Sequence, residues 1–118
     1  MKFQDNIPIY VQIANDIKEQ IVSDELKEED KLLSIREYSV KYSVTALTMQ
    51  RALALLETEG VIKTKKGVGS FVMKDIQKIL KQDMVTKEVE AFVEGLKRIG
   101  LSSSEIIILV KEALENDN

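Results

Sequence analysis

Two helix-start signals stand so close together that they dictate the centre of the fold. Ser34-Ile35-Arg36-Glu37 is a capping box, in which the Ser hydroxyl and the Glu carboxylate satisfy each other's free backbone N–H groups. Thr45 is a second N-cap a few residues on. The first helix must therefore stop near Tyr42, leaving only Tyr42-Ser43-Val44 as a turn. The second helix carries Met49, Ala52, Leu53 and Leu56 on one face and ends at Gly60, a residue suited to the left-handed stop position. Two helices joined by so short a turn form a helix-turn-helix.

The flanking segments extend the pattern. Pro8 suits a first helical turn, and Ile13, Ala14, Ile17 and Ile21 recur with helical period, which predicts a helix over about 9–23. The polar stretch Asp24 to Lys31 reads as a loop, with Glu28-Glu29-Asp30 as a solvated turn. After Gly60, Val61-Ile62-Lys63-Thr64-Lys65 has strand character. Gly67 and Gly69 supply a reversal, and Ser70-Phe71-Val72-Met73 can return as the partner. This hairpin places Lys63, Lys65 and Lys66 near its tip.

Beyond Lys74 the pattern changes to Val85, Val89, Phe92, Leu96 and Ile99, the seam of a heptad helix ended by Gly100. Ser102-Ser103-Ser104-Glu105 is another capping box, opening a last helix with Ile106, Ile107, Leu109, Val110, Ala113 and Leu114. The expected fold is thus mainly α with a small β-hairpin. Residues 1–74 form a winged helix-turn-helix and residues 75–118 a two-helix dimerisation tail. So short a tail has no Cys or His for a disulfide or metal staple, so a second copy is expected to bury its seam. Val85, Val89, Phe92, Leu96, Ile99, Ile106, Leu109 and Val110 are the candidate contact residues; folding back onto the chain's own first domain is the alternative.

Charge points the centre of the chain at nucleic acid. The net charge is −3, but residues 31–74 hold Lys31, Arg36, Lys41, Arg51, Lys63, Lys65, Lys66 and Lys74 against only Glu37, Glu57 and Glu59. A helix-turn-helix offers the start of its second helix to the major groove. Thr45, Ala46, Leu47, Thr48, Gln50 and Arg51 are therefore the candidate readers: Gln can bond adenine bidentately, and Ala, Leu or a Thr methyl can pack on thymine. Arg36, Lys65 and Lys66 suit phosphate or groove-edge contact, and Gly67 allows close backbone approach. With no His or Cys and with scattered carboxylates, neither a catalytic constellation nor a metal site is expected, nor a cofactor. No apolar run reaches the roughly 20 residues of a membrane span, and no signal pattern opens the chain, so a cytoplasmic protein is expected.

Five blocks in order, Pro8 to Ile13, Leu32 to Glu37, Val44 to Met49, Leu56 to Ile62 and Lys66 to Val72, resemble the DNA-binding domain of GntR-type regulators. The resemblance implies that Arg36, Thr45, Thr48, Gln50 and the tip at Lys66-Gly67 touch double-stranded DNA. The short helical tail resembles the YtrA-like branch, which implies a homodimer, a repressor on a two-fold-related operator and control of a transporter operon. A small-molecule effector stays open. The chain departs from the family at Glu28-Glu29, where Pro-Gly is common, at Leu33, where Pro is, and at Ala46 and Gln50, which lack the usual charge. A winged helix serving as a protein-docking module without DNA is the alternative reading.

Overall fold

The computed structural model describes residues 1–117. Its elements run α1 (Ile9–Val22), α2 (Ile35–Tyr42), α3 (Ala46–Thr58), β1 (Ile62–Lys65), β2 (Gly69–Val72), α4 (Ile76–Arg98) and α5 (Ser103–Asn116). Two compact units result, one from Met1 to Lys81 and the other from Gln82 onward.

The core of the first unit is built where the periodicities require it. Ile13, Ile17 and Ile21 of α1 meet Tyr38 and Tyr42 of α2, Met49 and Leu56 of α3, and Val61, Ile62 and Val72 of the hairpin, all buried. Polar groups taken into this core are matched. The Gln12 amide is buried, donating to the carbonyls of Gln4 (2.8 Å) and Ile7 (2.7 Å) and accepting from the Gln4 N–H (2.8 Å). The Tyr42 hydroxyl donates to Asp16 Oδ2 at 2.7 Å, and Gln20 Nε2 donates to both of them at 3.0 Å. This triad pins the end of α2 to α1. Lys18 Nζ meets Glu59 Oε1 at 2.6 Å and ties α1 to the end of α3.

Helix ends follow the local chemistry. Both capping boxes form, at Ser34/Glu37 and Ser102/Glu105. In each, hydrogen bonds from the Ser backbone N–H and then its hydroxyl hold the carboxyl below its ordinary value. Gly60 takes φ +75° and closes α3 with paired bonds, Gly60 N–H to Glu57 (3.0 Å) and Val61 N–H to Leu56 (2.9 Å). That stop explains why β1 starts at Ile62 rather than at Val61 as expected. The Val61 N–H is committed to the helix, while its carbonyl accepts from Met73 at 2.9 Å.

Two regions differ from expectation. Glu29 to Leu32 is not a free loop, because it runs antiparallel along β2 as a third ribbon. Glu29 N–H bonds Val72, Val72 N–H bonds Asp30, and Leu32 N–H bonds Ser70 (2.8–2.9 Å), with a bridge pairing Lys31 and Phe71. Glu29 adopts φ +70°, a left-handed conformation that a residue with a Cβ takes at a cost glycine does not bear. The second difference is that the helix expected from the seam at Val85 begins at Ile76. Ile76 and Leu80 are buried in the first unit's core, and Gln77 Nε2 reaches Ile21 O (3.2 Å) and Asp24 Oδ1 (2.8 Å) at the end of α1. In the second unit, Gly100 (φ +97°) ends α4 with the same paired-bond stop.

Candidate nucleic-acid interface

The turn between α2 and α3 sets the presentation of the second helix. Ser43 takes the left-handed conformation (φ +55°), and Val44 N–H bonds Ser39 O at 3.0 Å, so the chain reverses without a loop. Thr45 then caps α3: its hydroxyl accepts from Thr48 N–H (3.1 Å) and donates to Thr48 Oγ1 (3.0 Å). Thr45 is thereby half spent on the cap, whereas the Thr48 hydroxyl keeps its own proton to donate. With Met49, Ala52, Leu53 and Leu56 turned inward, Ala46, Leu47, Gln50 and Arg51 stand outward and Thr48 is half-buried. Leu47 is 56% exposed at the start of α3.

An open groove of about 830 Å³ runs between the start of α2, the outer side of α3 and the hairpin. Arg36, Gln50, Lys65, Lys66 and Gly67 all line it, so five of the expected site residues share one concavity. Thr45, Ala46, Leu47 and Thr48 sit at the α3 start and are not among the lining. Arg51 is separated from the set: it lies beside Tyr10, Leu55 and Thr58 around a different hollow of the first unit. One helical step from Gln50 is about 100° of rotation, enough to remove it from the groove. Leu55 is half-buried against the first unit's core.

The groove also takes in Lys31, which the sequence reading left in a solvated loop. Its charge counts with the basic middle of the chain, but its place in the groove depends on the long-range pairing with Phe71. The acids in the groove are occupied. Glu37 accepts the Ser34 N–H at 3.1 Å, and Glu57 Oε1 accepts the Thr64 N–H at 3.4 Å. Among the described residues neither acid forms an ion pair with the groove's cations, and the exposed Lys31, Arg36, Lys65 and Lys66 outnumber Glu37 and Glu57 around it, which leaves it a net cationic rim.

In the second unit Val85, Val89, Phe92 and Ile99 of the seam are exposed, with Phe92 at 51%, and Leu109 is exposed too. Leu96 and Val110 are half-buried. Ile106 differs, since its own chain buries it to 6% exposure and so withholds it from a second copy. Among the described residues no cluster of His, Cys, Asp or Glu is placed to hold a metal ion, and no helix is long and apolar enough to cross a membrane.

A capped short helix, a second helix offered by its start, and a basic hairpin closing a groove beside it define a winged helix-turn-helix protein. Residues 9–72 match the family described as bacterial regulatory proteins, gntR family. The chain is 35% identical to the uncharacterized HTH-type transcriptional regulator YhcF of Bacillus subtilis, over 97% of this chain and 96% of that one. It is 28% identical to the HTH-type transcriptional repressor YtrA of the same organism, over 89% and 83%. A GntR family transcriptional regulator from Listeria monocytogenes superposes with a TM-score of 0.84 at 36% identity, covering 93% of this chain and 98% of that one. This chain belongs to the gntR family of bacterial regulatory proteins. It is a transcriptional regulator with a winged-helix fold, not an enzyme.

Proposed function

We propose that the chain is a homodimeric, sequence-specific repressor that reads a two-fold-related DNA operator. Residues 1–74 act as the reader and residues 75–118 as the dimerisation tail, with the first turns of α4 held in the reader's core. Ala46, Leu47, Thr48 and Gln50 meet base edges in the major groove, Arg36 and Thr45 hold the backbone beside them, and Lys65, Lys66 and Gly67 reach the flanking backbone or minor groove. Arg51, turned away from the groove, meets a neighbouring phosphate.

The observation that carries this reading is the gathering of Arg36, Gln50, Lys65, Lys66 and Gly67 along one groove in which cations outnumber acids. Dimerisation rests on the exposed row Val85, Val89, Phe92 and Ile99, which burial against a second copy would take from water. Names of relatives agree with repression: YtrA and NagR of Bacillus subtilis are called transcriptional repressors. The protein acts in the cytoplasm, and the branch it resembles points to a transporter operon as its target. A small-molecule effector is compatible with this function without being required by it.

Selection of bound sequences from random duplexes tests the proposal. A repeated two-fold-related motif is expected. With about four phosphates neutralised per protomer, the log–log salt dependence on the selected duplex should have a slope of about −7. Equal binding to every sequence, or a slope near zero, contradicts it.

A further inference from the structure

The start of α3 lacks the side chains that read guanine. Ala46, Leu47 and Gln50 stand outward there and Thr48 is half-buried, while Arg51 lies beside Tyr10, Leu55 and Thr58 around a different hollow. Guanine shows two acceptors, O6 and N7, to the major groove, and a bidentate contact with them takes the donors of an Arg or a Lys. None of Ala46, Leu47, Thr48 and Gln50 supplies that pair of donors.

The helix offers an apolar tip and a free amide instead. At about 100° per residue, Leu47 lies half a turn around α3 from Leu56, which is buried on the packed face. Leu47 is thus turned most directly away from the core, and 56% of it is exposed. Gln50 follows one turn later, about 6 Å away between Cβ atoms. It lines the groove, and among the described residues its amide has no hydrogen-bond partner. That amide fits adenine, whose N6 amino group donates to its oxygen while its own NH2 donates to N7. Set against guanine, the same oxygen would face O6, acceptor to acceptor. Leucine finds a C5 methyl to bury on thymine and none on cytosine. Thr48 keeps one hydroxyl proton to donate, but A·T and G·C pairs both show acceptors in the major groove, so it does not discriminate.

We propose that the start of α3 selects A·T pairs: Leu47 packs on a thymine C5 methyl, and Gln50 holds adenine at N6 and N7 in a neighbouring pair. The proposal rests on the DNA-binding reading above and adds to it the base that each reader takes. The helix rises about 4.5 Å between the two residues, and bases of one strand are about 3.4 Å apart, so neighbouring pairs lie within reach of both.

The test starts from the duplex that the full-length protein selects out of a random pool. Replacing its thymines one at a time by deoxyuridine removes only the C5 methyl. At one thymine in each half-site this should cost about fourfold in affinity, the worth of one buried carbon. Leu47→Ala, its fold checked by circular dichroism, should bind more weakly and no longer respond to that replacement. Selection repeated with Gln50→Ala should relax one A·T pair per half-site, with roughly 5- to 150-fold of discrimination lost. Gln50→Arg should turn that pair to G·C, with guanine in place of adenine. Indifference of the parent protein to every deoxyuridine, a motif unchanged by Gln50→Ala, or a G·C pair at the position that variant relaxes would overturn this inference and leave the DNA-binding reading standing. Should no motif be enriched from the pool at all, both fail together.

Discussion

Replacing Tyr42 by Phe removes one hydroxyl from the joint between α1 and α2, and the structure allows its cost to be worked out. That hydroxyl donates to the Asp16 carboxylate at 2.7 Å and accepts from Gln20 at 3.0 Å. A hydrogen bond to a charged partner contributes about 1.5–3 kcal/mol. Asp16 is only half-buried and keeps the Gln20 donor at 3.0 Å, so the loss belongs at the lower end, about 1.5–2 kcal/mol. For a unit of this size that lowers Tm by roughly 6–16 °C, read by calorimetry at fixed protein concentration because association also shifts Tm. The same group predicts a pH dependence. Burial first, then the bond to Asp16 and its charge, raise the Tyr42 hydroxyl above its ordinary value of 10.0. A raised value means that the stabilisation is complete below pH 10 and is lost as pH climbs toward the folded value, since the unfolded chain ionises first. Tyr42→Phe should therefore flatten the alkaline loss of stability, leaving a remainder from Tyr38, which burial also raises. A variant within about 2 °C of the parent, with an unchanged alkaline limb, would refute the claim that this triad holds α2 in place.

Three further outcomes are expected. Glu29→Gly should raise stability by roughly 0.5–1 kcal/mol in denaturant titration, because relief of the left-handed strain at φ +70° exceeds the added entropy of the unfolded chain; destabilisation would count against that strain. Glu37 and Glu105 are held below 4.5, so their capping contribution is intact above pH 4.5 and lost as pH falls past it. Gln at both positions should flatten the acid limb of the helical signal, and an identical acid limb would show that the boxes do not titrate as described. Phe92→Glu places a charge in the exposed seam and should convert a sedimenting dimer to a monomer with the first unit still folded. A parent protein that sediments as a monomer would remove the basis for the dimer.

What was legible in the chain was what is decided locally. The caps at Ser34, Thr45 and Ser102 and the stops at Gly60 and Gly100 are short-range chemistry, and each element boundary they imply lies within a residue or two of the structure. The core faces of α1 and α3 followed from their periodicity. Long-range partners were not legible. Nothing near Glu28-Glu29-Asp30 announces that Glu29 to Leu32 pairs with β2, because that run is polar and its bonds are to residues some forty positions away. Ile76 and Leu80 lie in the stretch assigned to the tail, and only their burial in the core cluster reveals them as part of the first unit. Arg51 was placed with Gln50 because both are outward on α3, yet outward covers more than one direction on a helix. Lys31 joined the basic surface through the same concealed pairing.

The central claim is that the cationic groove beside α3 grips duplex DNA. Reversing two of its charges, Arg36→Glu with Lys66→Glu, in the full-length protein and titrating a selected duplex at moderate salt tests it most directly. Specific binding should vanish while circular dichroism and sedimentation stay as in the parent protein, because both side chains are exposed and make no internal ion pair among the described residues. Binding that survives the reversal at undiminished affinity would mean that the groove is not where DNA is held.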